Sequence, residues 1–219
     1  LGLLRIGPDE IIEPAVFGPA LVMLLTVVSY GMVVTLIPDL SDQLRLPNRG
    51  TFFTVMTVAS LAARFGAGRV SDRLGRVRVL KYSLALLTAG MALIALAHTP
   101  AALLTAAVVF GFASGMNSPT IYAWTIDWAY DERRGRALAT AYLALEIGIG
   151  AGALVAGALG GTDPTRVSLA FWVGTAITAL GWAALFLPWR PHAGTAAAPP
   201  ADIAAELVDE LLPPPSARG

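Results

Sequence analysis

Six stretches of this sequence are each long and apolar enough to cross a lipid bilayer, and that repetition leaves few folds open. A spanning helix needs roughly 20 largely apolar residues. Residues 15–37, 51–68, 80–97, 101–125, 137–159 and 168–188 meet that need. Polar connections separate them. Residues 38–50 hold Pro38, Asp39, Asp42, Pro47, Asn48 and Gly50 and read as a loop; His98, Thr99 and Pro100 form a very short turn; 127–136 is a polar loop and 160–166 another turn. Composition agrees. The chain is 56% hydrophobic and 14% charged, with a mean hydropathy of +0.67, whereas soluble domains carry about 25% charged residues. A soluble domain of this length could not bury so much apolar surface. The sequence therefore predicts an all-α integral membrane bundle of six transmembrane helices over residues 15–188. A leading segment, 1–14, and an Ala/Pro-rich tail, 189–219, flank it. The composition of the tail suits disorder, although 201–212 carries helical apolar spacing.

Cytoplasmic loops are enriched in Lys and Arg. One side of the expected bundle gathers Arg5, Arg64, Arg69, Arg73, Arg76, Arg78, Lys81, Arg133, Arg134, Arg136, Arg190 and Arg218; the other holds Arg45, Arg49 and Arg166. Both termini are thus expected in the cytoplasm, with the chain in the cell membrane. The formal net charge is zero, which points to no nucleic-acid partner. There is no cysteine, and His98 and His192 have no metal-ligand spacing, so neither a metal nor another cofactor is expected. No phosphate-binding Gly-x-x-x-x-Gly-Lys-Ser/Thr loop occurs, so ATP is not the energy source. The first residue is Leu and no signal peptide is recognisable, which reads as an internal loop of a longer protein or a truncated reading frame.

Between the second and third stretches lies Gly68-Arg-Val-Ser-Asp72-Arg73-Leu-Gly75-Arg76. Its arginines and aspartate exclude it from lipid, so it reads as a tight turn at the membrane surface. Gly68 and Gly75 permit close turns, and Asp72 can cap a helix or pair with a neighbouring arginine. The order Gly-x-x-x-Asp-Arg-x-Gly-Arg resembles the cytoplasmic-loop signature of the major facilitator superfamily. A second stretch, Asp131-Glu-Arg133-Arg134-Gly135-Arg136-Ala137, resembles the loop before the fifth helix of a half in that family. The resemblance covers roughly 14–188 and implies one half of a twelve-helix secondary transporter. The fourth stretch lacks an internal arginine and the fifth lacks a Gly-Pro pair, which resembles the C-terminal half, helices seven to twelve. The other half is then a missing partner bundle.

Candidate functional residues follow from polarity at depth. Glu146 lies about 14 Å into the fifth stretch, where a bare carboxylate costs about 2.5–3.5 kcal/mol. It reads equally as a proton-coupling or cation-recognising group and as a structural hydrogen-bond partner. Asn117, beside Ser118 and Thr120, accompanies Pro119 in a segment, 115–120, that interrupts the fourth stretch; interrupted helices often mark transporter sites, and proline kinks also occur with no such role. Tyr30 shares a helical face with Thr26 and suits either the central cavity or interhelical packing. Arg64, about one turn from the basic loop, reads as a snorkelling or paired cation, and Asp127 as a partner for nearby arginines. Tyr122, Trp124, Trp182 and Trp189 read as interfacial anchors. Gly148 with Gly152, Gly111 with Gly115, and Gly157 with Gly161 are spaced for close helix packing.

Three functions fit such a chain. The first is a secondary transporter of a small molecule, by efflux or proton-coupled transport, working by alternating access. The second is a six-span serine protease with Ser114 as nucleophile, for which neither histidine offers a nearby base. The third is a non-transporting six-helix fragment or subunit that needs a partner bundle.

Overall fold

The computed structural model describes residues 12–160 and 163–189. The leading residues 1–11, Gly161, Thr162 and the tail beyond 189 lie outside them, and with them the readings of disorder and of a helix at 201–212. Six long helices follow one another: α1 (Phe17–Gln43), α2 (Gly50–Leu74), α3 (Arg76–Ala95), α4 (Pro100–Trp128), α5 (Arg134–Leu159) and α6 (Pro164–Ala184). Short 3-10 turns precede α1 (Pro14–Val16) and α5 (Asp131–Arg133). Two starts are capped as sequence chemistry dictates. The Thr99 side chain accepts from the Ala102 N–H and the Asp163 side chain from the Thr165 N–H, each with proline in the first helical turn.

The helices outrun their apolar stretches. α1 continues through Pro38 to Gln43 because Leu36, Ile37, Leu40 and Ser41 are buried while Asp39 and Asp42 project outward. The expected 38–50 loop thereby contracts to 44–49, where Arg45 adopts a left-handed φ of 56°. Arg49 Nε donates to Asp42 Oδ1 at 2.7 Å across this turn. α2 likewise continues through the basic motif, burying Ala67 and Ser71 on one face. α4 is not interrupted at 115–120: it runs helical through Pro119. There the Thr120 hydroxyl donates to the Met116 carbonyl at 2.7 Å, occupying an acceptor beside the proline.

Five of the six helices are long and apolar enough to cross a membrane; α2 is long enough but less apolar. Its sequence mixes Thr51, Thr54, Thr57 and Ser60 with Arg64, which makes it the least apolar of the six expected spans.

α1 and α4 stand at the centre. α1 packs on α5 and α6, α4 packs on α2 and α3, and α3 meets α6. The order around the bundle is therefore α2–α4–α3–α6–α1–α5, and α2 and α5, at its two ends, are not packed on each other. Two large apolar clusters fill most of the interior, and a small third joins Val16, Ala129 and Ala137. One large cluster joins Met32, Leu36, Met91, Leu103, Phe110 and Phe171; the other joins Met23, Leu80, Leu84, Ile121, Trp124 and Leu185. Trp124 is thus a core residue rather than an interfacial anchor.

Glycine sets the closest crossings. An added Cβ at Gly152 would stand 2.1 Å from the Val28 carbonyl oxygen, and one at Gly115 would stand 2.3 Å from that of Ser60. These pairs, α1 with α5 and α2 with α4, are backbone-to-backbone contacts. Gly157, by contrast, has no atom within 4 Å of such a position, so it is not a packing glycine.

Candidate functional site

A group of polar side chains on α1, α2 and α4 gathers at mid-height. Tyr30 is the middle residue of α1 and Ser114 the middle residue of α4. Arg64 stands ten residues before Leu74, the end of α2, so about 15 Å of helix separates it from the Gly75 turn. That depth corrects the expectation of an arginine one turn from the loop; the cause is the continuation of α2 through the motif. Tyr30, Arg64, Ser114 and Ser118 line two adjoining cavities of about 370 and 200 Å³. The smaller also takes in Thr26, Ser29 and Asn117, with Leu145 and Ile149 of α5 as its far wall. The cavities therefore lie in the cleft between α2 and α5, where the two apolar clusters meet.

The donors and acceptors there are unevenly committed. The Thr26 hydroxyl donates to the Val22 carbonyl at 2.6 Å, Ser29 to Thr26 at 2.6 Å and Ser114 to Gly111 at 3.0 Å. Their oxygens are left as acceptors. Asn117 is 1% exposed. Its Oδ1 accepts from the Ser83 hydroxyl of α3, and its buried Nδ2 has no partner. A buried amide left half-used costs free energy unless a water or solute supplies the acceptor. Arg64 has no ion-pair or hydrogen-bond partner among the described residues, and no carboxylate lines either cavity. The cleft thus offers a cation and an amide donor ringed by hydroxyls.

Glu146 stands apart. It lies near the middle of α5 but on its exposed side, away from the α1-facing row Ala137, Ala141, Ala144, Gly148, Gly152. Tyr142, one helical turn before it, is exposed on the same side, and the Tyr122 and Tyr142 rings lie 5.1 Å apart. The structure brings Tyr30 and Asn117 together and adds Arg64 and Ser114, but it does not bring in Glu146.

The basic motif is a helix end and a one-residue turn, not a turn along its whole length. Gly68, Asp72 and Arg73 are helical in α2. Gly75 alone turns the chain, with φ 88°, a conformation that L side chains resist. Asp72 caps nothing; it pairs with Arg76 one helical turn on. Arg76 Nε also donates to Asp127 Oδ2 at 3.0 Å, and its NH1 donates to the Ser71 hydroxyl at 2.9 Å. Asp127 belongs to α4, so Arg76 ties the α2–α3 turn to the end of α4. Both carboxylates are at least half exposed, which limits each pair to about 1 kcal/mol or less. Arg76→Gln is expected to lower the melting temperature of the detergent-solubilised protein by a few degrees at low salt. High salt should shrink that difference, and a salt-independent difference would assign the loss to packing.

The second motif anchors the segment before α1. Glu13, unremarked in the sequence, is 2% exposed. Its N–H donates to Thr140 Oγ1 at 2.9 Å, and its carboxylate lies 3.1 Å from Arg136 Nε and 3.8 Å from Arg133 NH1. Arg134 pairs with Asp131 at 2.8 Å, and Gly135 has open space around it. A Glu-Pro pair ahead of an apolar helix was the available signal, but it did not reveal its partner 123 positions away.

Six packed helices around a mid-height polar cleft, with a basic turn at one end, define a multi-pass helical membrane protein. Residues 20–214 match the family model described as Major Facilitator Superfamily, and the chain belongs to that superfamily. No curated protein sequence matches it. Among solved structures, the POT family transporter PepTSo resembles it with a TM-score of 0.69 at 15% identity, over 94% of this chain and 43% of that one. At that identity the likeness is one of fold. The chain spans less than half the length of that transporter.

Proposed function

We propose that this chain is one six-helix half of a secondary transporter that moves a small molecule by alternating access. The observation that carries the proposal is the convergence of Tyr30, Arg64, Ser114 and Asn117, all near mid-helix, on the cleft between α2 and α5. Transporters bind solutes near the bilayer midplane, where two bundles meet. A mid-membrane arginine costs about 2.5–3.5 kcal/mol on insertion scales unless it faces a polar cavity. The cleft is such a cavity, and an anionic or strongly accepting group on the solute would complement Arg64 and Asn117.

A second six-helix bundle closes this cleft in the proposed assembly. The outward faces of α2 and α5 support that, since Phe65 and Leu154 are 79% and 77% exposed. The sequence features of α4 and α5 favour helices seven to twelve, the C-terminal half. The charge bias supports both termini in the cytoplasm of a cell membrane. In that setting Gly68, Asp72, Arg73, Gly75 and Arg76 face the cytoplasm with Arg133, Arg134 and Gly135, where they would favour one orientation of the two bundles.

Glu146 is the proposed proton-coupling group, by efflux exchange or proton-coupled uptake. It lies at mid-depth on the exposed side of α5, one helical turn from Tyr142, where a carboxylate facing lipid is costly. Glu146→Gln is expected to abolish pH-gradient-driven flux and leave solute exchange. Unchanged transport with unchanged pH dependence would remove it from the mechanism.

The test is solute flux in proteoliposomes with an imposed pH gradient, screened over labelled small anions, zwitterions and cations. Interior pH is read in parallel. Flux of one solute class with coupled pH change supports the reading. A folded bundle that moves nothing, alone or with a second bundle, supports the non-transporting subunit instead.

A further inference from the structure

We infer that the groove between the start of α3 and the end of α6 is a binding site for the headgroup of an anionic phospholipid. The inference is independent of the transport reading. Arg78, Lys81, Tyr82 and Ala85 recur at helical spacing on one face of α3, and with Trp182 and Phe186 they line a cavity of about 560 Å³. The two walls are fastened to each other. The Trp182 indole N–H donates to the Lys81 carbonyl oxygen at 2.8 Å, and the Trp182 and Phe186 rings meet edge-on at 5.2 Å. The Lys81 ammonium sits 4.1 Å above the centre of the Phe186 ring, which holds it at the groove.

Charge decides the occupant. Arg78 and Lys81 bring two cations, and no carboxylate lines the groove. The nearby Asp72 and Asp127 are engaged by Arg76. A chain of zero net charge thus leaves a local cationic pair at one end of a membrane bundle. The groove lies on α3 and α6, on the side of the bundle away from the open α2–α5 cleft, where lipid is the available neighbour. Basic pockets between membrane helices on the cytoplasmic side bind acidic headgroups. A phosphodiester would accept from Arg78 and Lys81, with Tyr82 and Trp182 at headgroup level. An acyl chain would run toward the membrane centre over Ala85 and Ala89, which are small and exposed. A zwitterionic lipid places its own cation near the same two charges and gains less.

Native mass spectrometry of the purified chain, titrated with phosphatidylglycerol and phosphatidylcholine of identical acyl chains, tests this. One phosphatidylglycerol is expected to be retained in preference to phosphatidylcholine. The double substitution R78Q/K81Q is expected to weaken it on the order of 30-fold, from about 1 kcal/mol per cation. R78K/K81R and, at the opposite end of the bundle, Arg45→Gln should leave it unchanged. A second measurement spares the cations. Phosphatidylglycerol with brominated chains should quench a tryptophan signal that Trp182→Phe removes. Equal retention of both lipids, retention undiminished in R78Q/K81Q, or quenching unaffected by Trp182→Phe would overturn the assignment. Displacement of the lipid by millimolar inorganic phosphate alone would reassign the groove to a free anion.

Discussion

Gly152→Leu is expected to prevent accumulation of the folded bundle, and Gly152→Ala to melt well below the unaltered chain. A Cβ at position 152 would lie 2.1 Å from the Val28 carbonyl oxygen and 2.9 Å from its carbon; one at the facing Gly31 would lie 2.1 Å from the Ile149 oxygen. The obstacle is backbone on both sides, so no rotamer change relieves it and the helices must separate. Lipid provides no hydrophobic drive to bring helices together, which leaves close packing as the main attraction between them. α5 has α1 as its one broad neighbour, so it cannot recover the lost contact elsewhere. Overpacking of this kind costs typically 1–3 kcal/mol, or about 2–12 °C in melting temperature for a chain of this size. Gly150→Ala is the control: its Cβ would meet nothing within 4 Å, and alanine in a helix interior is favoured over glycine by about 0.5–1 kcal/mol. Thermal unfolding in detergent should therefore move in opposite directions for two glycines two positions apart. Equal melting of Gly152→Ala and the unaltered chain would mean that the α1–α5 crossing is looser than described.

The same contrast shows what was legible in the sequence. The six-helix bundle and its superfamily could be read because lipid imposes a length and a polarity on every span, and because the Asp72-Arg73-x-Gly75-Arg76 order is a local signature. Packing glycines could be read at Gly148 with Gly152 and at Gly111 with Gly115, but spacing alone also suggested Gly157, which faces open space. Spacing reports which residues share a face, not whether a neighbour is present. Helix ends were misjudged for one reason. Hydropathy marks where a helix leaves lipid, whereas hydrogen bonding and burial mark where it ends, and α1 and α2 continue well past the apolar stretch.

That error hid the most informative polar residue. Arg64 read as a snorkelling or paired cation one turn from the surface because the stretch from Gly68 to Arg76 read as a turn; once α2 extends to Leu74, the same arginine is near mid-helix. Asn117 and Tyr30 were visible as polar interruptions of apolar runs. Their meeting with Arg64 and Ser114 was not, since it depends on how α1, α2 and α4 pack. Glu146 was the most conspicuous residue in the sequence, yet it lies outside the cavity. Depth in the membrane can be counted along a helix, but the direction a side chain faces requires the neighbours.

Arg64→Gln is expected to lower flux of the solute identified in proteoliposomes ten- to hundredfold in kcat/KM, without destabilising the protein. The loss follows from removing a charged hydrogen-bond donor from the cleft, worth about 1.5–3 kcal/mol to a bound acceptor. The stability side follows from geometry. Arg64 has no partner among the described residues, so its removal leaves no described group unpaired. Deleting a mid-membrane cation should leave the melting temperature unchanged or raise it. A residue kept for packing would show the opposite pair of effects. Arg64→Lys retains the charge but not the planar fork, so partial flux is expected for a carboxylate or phosphate solute. Asn117→Ala should cost flux as well, together with some stability, because it leaves the Ser83 hydroxyl only the long 3.4 Å bond to the Leu80 carbonyl. Flux within threefold of the unaltered protein in Arg64→Gln, across all solutes carried, would show that the solute does not pass between α2 and α5 at this level. The half-used amide of Asn117 would then belong to a buried water rather than to transport.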